Sequence, residues 1–340
     1  MLDILNENVA NLINNKTILI TGGTGTLGKK LTEIILNNFL PKKLIIFSRD
    51  EFKQYNMKNT FLKHKYSDCI RFLIGDVRDY ERVLIATKNV DIIFHAAAMK
   101  QVDTIEYQPL EAIKTNINGT INIIQAAIQN KVEKVIGIST DKAVLPINLY
   151  GATKMCLEKL ILNGNNLISD KEKTIFSILR YGNVINSRGS VVPLFLKQKN
   201  DKFTITDSKM TRFTLTIEQA VNFILNCASI MIGGEIFIPK LPSYNILQLA
   251  KCIDENTKIE FIGHRPGEKI HESMISCAES HKTLVLDNYY VISSDLINKD
   301  YHKLYGTTYL DKDYEYNSNQ DLIDNEKLKY IINTIDIIDT

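Results

Sequence analysis

Thr17 to Gly28 reads TILITGGTGTLG, and Lys29 to Asn38 continues as an amphipathic stretch. A short apolar run that stops at glycine reads as a buried strand ending in a tight turn, and the periodic stretch after it reads as a helix. Gly22, Gly25 and Gly28 keep G-x-x-G-x-x-G spacing. Glycine serves there for the turn, for close approach of a pyrophosphate to backbone N–H groups, and for packing the helix on the strand. Three glycines alone are a weak signal. Between a strand and a helix they point to dinucleotide binding.

Outward from that turn the chain alternates. Strand patterns at Lys43–Phe47, Arg71–Gly75, Asp91–His95, Lys134–Ile138 and Thr174–Leu179 are separated by helical ones, among them Leu110–Asn130 with Asn116 inside it. This predicts a parallel sheet with right-handed crossovers, whose ligands sit at the strands' carboxyl ends. The second strand runs into Ser48-Arg49-Asp50, with Lys53 one turn on. A hydroxyl and two cations suit a ribose 2′-phosphate, which favours NADP; Asp50 keeps NAD open, because an acid near this point commonly holds the 2′-hydroxyl. Asp76 reads equally as an adenine ligand or a turn residue. Ala96, Ala97 and Ala98 leave room for a cofactor, and His95 reads as a satisfied strand-end histidine.

The second informative stretch is Ser139 to Lys154, STDKAVLPINLYGATK. Tyr150 and Lys154 stand one helical turn apart on one face. An ammonium beside a phenol favours its ionised form, so Tyr150 can act as a base well below its free pKa of about 10. A lone Tyr-x-x-x-Lys is usually a surface pair. What shifts the reading is Thr140, a hydroxyl ten residues upstream, followed at once by Asp141 and Lys142.

Composition bounds the remainder. The chain has 340 residues, 44% hydrophobic and 24% charged, which suits a globular protein with a sizeable core. A net charge of +2 leaves no electrostatic footprint for nucleic acid or a membrane surface. Five scattered cysteines, none spaced C-x-x-C, argue for free thiols and against a zinc site. No apolar run approaches the ~20 residues that span a bilayer, and the first sixteen residues read as a short amphipathic helix and not a signal peptide, so a cytoplasmic protein is expected. Later, Val191–Lys199, Ile217–Ser229 and Ile246–Ile253 read as helices, Phe203–Thr206 as a strand, and Glu235–Ile238 as the last strand of the sheet. Arg188-Gly189-Ser190 reads as a loop. In IGHRPGEKIHE (262–272), Arg265, Glu268 and Lys269 surround a Pro-Gly turn, and His264 and His271 lack metal spacing. The expected fold is α/β: a doubly wound parallel (Rossmann) sheet over 1–182, rejoined by about 214–240, with a smaller interleaved substrate domain from 183–213 and 241–290, and a weakly patterned extension over 291–340.

TGGTGTLGK, FSRDEFKQ, IGDVRD, HAAAMKQV, EAIKTNINGT, STDKAVLPINLYGATK, RYGNVINSRGSVVP, MTRF, GGEIFIPK and RPGEKIHE together resemble an extended short-chain dehydrogenase/reductase. Within it, the likeness is to the soluble nucleotide-sugar dehydratases that act on UDP-N-acetylglucosamine, invert carbon 5 and open the route to pseudaminic acid. It runs from about Lys16 to Ser280; the N-terminal lead and the last forty residues depart from it. The resemblance implies that Tyr150, activated by Lys154, takes the 4-hydroxyl proton, that Thr140 bonds the 4-oxygen, that Lys142 is the base at carbon 5, and that Asp141 protonates the departing 6-hydroxyl. Related retaining dehydratases carry glutamate at the Lys142 position. A lysine base needs a lowered pKa, from burial or a neighbouring cation. It further implies NADP held by Gly22, Thr24, Gly25, Thr26, Leu27, Gly28, Ser48, Arg49, Lys53, Asp76, Val77, Ala96, Ala97, Ala98, Lys100, Asn116, Tyr150, Lys154 and Val184. The UDP-sugar falls to Lys100, Asn183, Val192, Thr204, Arg212, Arg265 and Glu268. No metal is implied, and pairing through the helices around Asn116 and Tyr150 would give a homo-oligomer. Two rivals stay open: a 4-epimerase using Tyr150, Lys154 and Thr140 alone, and an idle NADP-binding regulator.

Overall fold

Strands β1 (Thr17–Thr21), β2 (Lys43–Ser48), β3 (Ile70–Ile74), β4 (Ile92–His95), β5 (Lys134–Thr140) and β6 (Ile175–Tyr181) are parallel and lie side by side in the order β3-β2-β1-β4-β5-β6. All five residues of β1 are buried, as the centre of a sheet covered on both faces requires. The computed structural model describes residues 5–169, 173–185, 190–198, 202–263, 265–293, 300–306 and 308–334. Ile236–Pro239 extends the parallel set beyond β6. Contrary to expectation it is not the last strand: Tyr289–Ile292 and Thr283–Val285 add two antiparallel edges. Three- and four-residue strands joined by a tight turn carry too little alternation to declare themselves in sequence.

Helix α1 (Glu7–Ile13) is capped by the Asn6 side chain and buries Val9, Leu12 and Ile13; it packs on Ile217–Ile230. Helix α2 (Thr26–Asn38) follows the glycine turn. The expected long helix over 110–130 is interrupted. Pro109–Ala112 passes into a π-helical turn at Ile113–Asn118 before Gly119–Gln129 resumes the α-helix. Asn116 explains the widening. Its buried carboxamide accepts from the Met99 N–H at 2.8 Å and donates to the Met99 carbonyl and the Thr153 hydroxyl, both at 3.0 Å.

A smaller apolar cluster, with Val192, Phe195, Phe203, Tyr244, Leu249 and Leu328 among its members, stands beside the main core. Phe195 and Phe203 stack at 4.8 Å. Thr211–Leu215, just ahead of the helix at Ile217, is a buried strand paired with Ser243–Asn245 and Asn183–Val184. The weakly patterned tail also contributes: the Tyr316 hydroxyl donates to the Leu241 carbonyl at 3.0 Å and accepts from its N–H at 2.7 Å. No helix among the described residues is long and apolar enough to cross a membrane.

Arg180, on β6, is 2% exposed. Its guanidinium donates to Glu158 on the Tyr150 helix (Leu149–Asn163) at 2.9 and 2.6 Å, to Glu279 at 2.9 Å, and to the Met274 carbonyl at 2.8 Å. Ser139 of β5 donates to the same Glu158 at 2.6 Å. Removing the one cation would strand the buried Glu158 carboxylate and leave the partly buried Glu279 without its partner. Arg180→Leu is therefore expected to cost roughly 3–5 kcal/mol, read from urea unfolding; a loss under ~1 kcal/mol, the range of exposed pairs, would show the network to be expendable.

Candidate active site

A cleft of about 1080 Å³ opens along the carboxyl edge of the sheet, between the glycine turn and the 265–272 segment. Nearly all residues assigned in sequence line it: the turn from Gly22 through Thr24–Gly28, then Ser48, Arg49, Lys53, Asp76, Val77, Ala96–Ala98 and Lys100; then Thr140, Lys142, Tyr150, Lys154, Asn183, Val184, Thr204, Arg212, Arg265 and Glu268. Three do not. Asn116 lies behind the wall, clamping Met99. Val192 belongs to the small core, since the helix Val191–Lys197 turns Val191 and Leu194 to the cleft instead. Asp141 is sealed within the fold. Arg188, Gly189 and His264 fall outside the described residues.

The glycine turn fits a dinucleotide. Helix α2 starts at Gly25, which offers no side-chain cap, so the amides of its first turn are left for a ligand in the cleft that these residues line. Gly22 has φ +65°, and a Cβ there would stand 2.9 Å from the Ala97 backbone nitrogen. At the end of β2, Asp50 caps the next helix, accepting from the Lys53 N–H at 2.9 Å, with the Lys53 ammonium also at 2.9 Å. Arg49 is exposed, 3.8 Å from Asp76, whose carboxylate is forked by Arg78 at 2.9 and 2.7 Å.

Strand β5 delivers Thr140, Asp141 and Lys142 to the end of the sheet. Its register with β6 sets Thr140 level with Tyr181, and Thr140 caps a short turn, Asp141–Ala143. The Thr140 hydroxyl donates to Asp141 Oδ1 at 2.8 Å and stands beside the Tyr150 phenol, whose pKa it draws down. Lys142 Nζ lies 3.1 Å from Asp141 Oδ1, 3.0 Å from Asn183 Oδ1 and 3.3 Å from Glu272 Oε1. Asn148 caps the Tyr150 helix and also donates to the Gly267 carbonyl at 2.7 Å, while Lys269 Nζ donates to the Val144 carbonyl at 2.5 Å. The 265–272 segment is thereby strapped onto the loop that follows β5. Gly151 makes the approach of the helix possible, because a Cβ there would collide with the Lys142 carbonyl.

The charges depart from expectation. Lys154 does not pair with Tyr150; its buried Nζ donates to the Ile138 carbonyl at 2.7 Å, and burial brings it down to about 8, with Glu158 opposing. Burial and the negative charge of Asp141 push the Tyr150 phenol up to about 12, and the opposing cation is Lys142. Lys142 is not a lowered-pKa amine. Burial works against its charge, but Asp141 and Glu272 outweigh it and hold it firmly as an ammonium. Burial first, then Glu272, raise the Asp141 carboxyl, whose Oδ2 has no hydrogen-bond partner. Glu272 goes the other way: burial would raise it, but Lys142, Arg212 and Lys269 lower it. Thr21 and Thr120 bond both nitrogens of His95, at 2.8 and 3.1 Å, and burial keeps its imidazole neutral to about 3.

Glu272 is the member that sequence reasoning missed. It lines the cleft, yet only the closing of the strap brings it to Lys142, 130 residues away in the chain. No local spacing marks it.

Residues 18–294 match the family described as polysaccharide biosynthesis protein. A Campylobacter jejuni protein named UDP-N-acetylglucosamine 4,6-dehydratase (inverting) is 51% identical over 288 residues, 84% of this chain and 85% of that one. A Rickettsia bellii protein named UDP-glucose 4-epimerase is 45% identical over 300 residues, 86% of each. The solved structure of Pen from Bacillus thuringiensis superposes with a TM-score of 0.87 at 40% identity, covering 94% of this chain and 98% of that one. With its doubly wound sheet and its Thr140, Tyr150 and Lys154 in one cleft, the chain belongs to the polysaccharide biosynthesis protein family, on the extended short-chain dehydrogenase/reductase fold.

Proposed function

We infer that this chain is an inverting UDP-N-acetylglucosamine 4,6-dehydratase, yielding UDP-2-acetamido-2,6-dideoxy-β-L-arabino-hex-4-ulose. The observation that carries the reading is the buried Asp141 joined to Lys142 and Thr140 at the end of β5, in the cleft that Tyr150 lines. Oxidation and reduction alone need Tyr150, Thr140 and Lys154. Loss of water needs two further proton-handling groups, and an acid–amine pair kept out of bulk solvent supplies them. We place the product at the entry to pseudaminic acid synthesis.

A nicotinamide dinucleotide, when bound along the glycine turn, supplies the two-electron acceptor and later donor, together with a positive charge that draws Tyr150 toward its phenolate. Tyr150 takes the 4-hydroxyl proton. The ketone so formed acidifies carbon 5, where Lys142 removes the hydrogen. Asp141 holds a proton for the departing 6-oxygen and, sealed from the cleft, passes it through the Thr140 hydroxyl at 2.8 Å, which turns to accept from Asp141 as it gives its own proton to the sugar. Arg212, anchored on the Ile270 carbonyl at 3.0 Å, and Arg265 present cations to the diphosphate, and Asn183 and Thr204 line the same cleft.

NADP is the cofactor proposed. Asp50 caps its helix and pairs with Lys53, so the cation presented to the ribose is Arg49, with Ser48 beside it on the cleft wall. Arg49→Ala is expected to weaken NADP at least about tenfold, one charge-assisted contact, while leaving NAD nearly unchanged; calorimetric titration of both reads this directly, and equal loss of both would favour NAD.

A 4-epimerase is the second reading, favoured by the name of the Rickettsia relative. The two part at Lys142. Incubation with UDP-N-acetylglucosamine in deuterated water, followed by NMR and mass spectrometry, is expected to show loss of water, a new methyl group and deuterium at carbon 5, with Lys142→Ala cutting turnover about 100-fold or more. Conversion to the galacto epimer with no water lost, and a Lys142→Ala variant of near-normal rate, would establish the epimerase instead.

A further inference from the structure

We propose that Glu272 is the proton acceptor that converts Lys142 from an ammonium into the amine that works at carbon 5. The proposal rests on the dehydratase reading and extends it to a residue outside the Thr140–Lys154 stretch.

Lys142 has two carboxyl neighbours, and they are not equivalent. Asp141 is fully buried and absent from the cleft wall, and its Oδ1 already accepts from both Thr140 and Lys142. Glu272 is 3% exposed yet forms part of the cleft wall. Its Oε1 is 3.3 Å from Lys142 Nζ, and its Oε2 has no hydrogen-bond partner, with Lys269 Nζ at 3.9 Å. The backbone behind it is pinned by Ser318, whose hydroxyl accepts from the Glu272 N–H at 2.9 Å and whose N–H donates to the Glu272 carbonyl at 2.8 Å. The backbone that carries the carboxylate is thus fixed beside the ammonium, and one carboxylate oxygen is uncommitted.

The charged and titratable groups around this pair are Asp141, Tyr150, Lys269 and Arg212. Lys100 adds its charge from the cofactor side. Before a sugar enters, Lys142, Arg212 and Lys269 hold the Glu272 carboxyl below its usual range, while burial and Glu272 raise the Asp141 carboxyl. Glu272 is then the neighbour able to accept. When a sugar covers the half-buried Lys142 and displaces water, an ion pair loses solvation that a neutral pair does not need. One N–H bond of the ammonium breaks, one O–H bond forms on Glu272 Oε1, and the net charge of the pair stays zero. No further reactant is required. The site then holds a neutral amine for carbon 5 with the Asp141 proton still in reserve.

The test uses the full chain with NADP and UDP-N-acetylglucosamine in deuterated water, comparing wild type, Glu272→Gln and Glu272→Asp. In Glu272→Gln, oxidation at carbon 4, seen as reduction of the bound nicotinamide on mixing, is expected to persist. Deuterium exchange at carbon 5 and water loss should both fall about 100-fold, KM should move little, and the rate should climb with pH as solvent base replaces the missing carboxylate. Glu272→Asp should recover much of the exchange. Unchanged or faster exchange in Glu272→Gln would overturn the proposal, because removing a mere counter-charge frees the amine. An equal fall in carbon-4 oxidation and carbon-5 exchange would overturn it too, in favour of a structural role. The reading beneath it fails separately: wild type that loses no water, or Lys142→Ala that exchanges normally.

Discussion

One buried guanidinium ties together the parts that carry chemistry. Arg180 joins β6 to the Tyr150 helix through Glu158 and to the 274–279 segment through Met274 and Glu279. Glu158 stands one turn beyond Lys154, so the bond that fixes the helix also fixes where the Lys154 ammonium points. Glu279 follows seven residues after Glu272, so the same cation helps set the far wall of the cleft. A buried network of this kind is weak evidence of stability for its own sake. Here it sets register between three stretches of chain that must meet within hydrogen-bond distance of one another.

With that register fixed, the site behaves as one proton-sharing group. Tyr150, Thr140, Asp141, Lys142 and Glu272 form a continuous row of contacts, and each shifts its neighbours. Two carboxyls beside one lysine cannot be equivalent: the sealed one favours its neutral form and the one facing three cations favours its charge. Dehydration returns as many protons as it removes. A closed row of donors and acceptors suits a reaction whose proton count balances within the site.

Much of this was legible in the chain. TGGTGTLG announced the turn because only glycine serves there, and STDKAVLPINLYGATK placed hydroxyl, acid, amine and phenol at the end of one strand. What stayed hidden depends on contacts distant in sequence. Glu272 meets Lys142 only through the strap. The strand Thr211–Leu215 is buried at every position and lacks the alternation that would mark it. Val192 was assigned by motif, but its helix turns it inward. The pKa values of Tyr150 and Lys142 move up and not down, because a Tyr-x-x-x-Lys spacing says which residues share a helix face and nothing about the carboxylates packed opposite.

The tight seat of Gly151 bears on how one scaffold hosts different reactions. The atom it abuts is the carbonyl oxygen of residue 142, part of the main chain and indifferent to the side chain carried there. Position 142 can therefore change its functional group while the tyrosine helix keeps its distance. Chemical identity and spatial alignment are separable at this point of the fold, so a lineage can trade an amine for a carboxylate, or for an inert group, without rebuilding the oxidation machinery beside it.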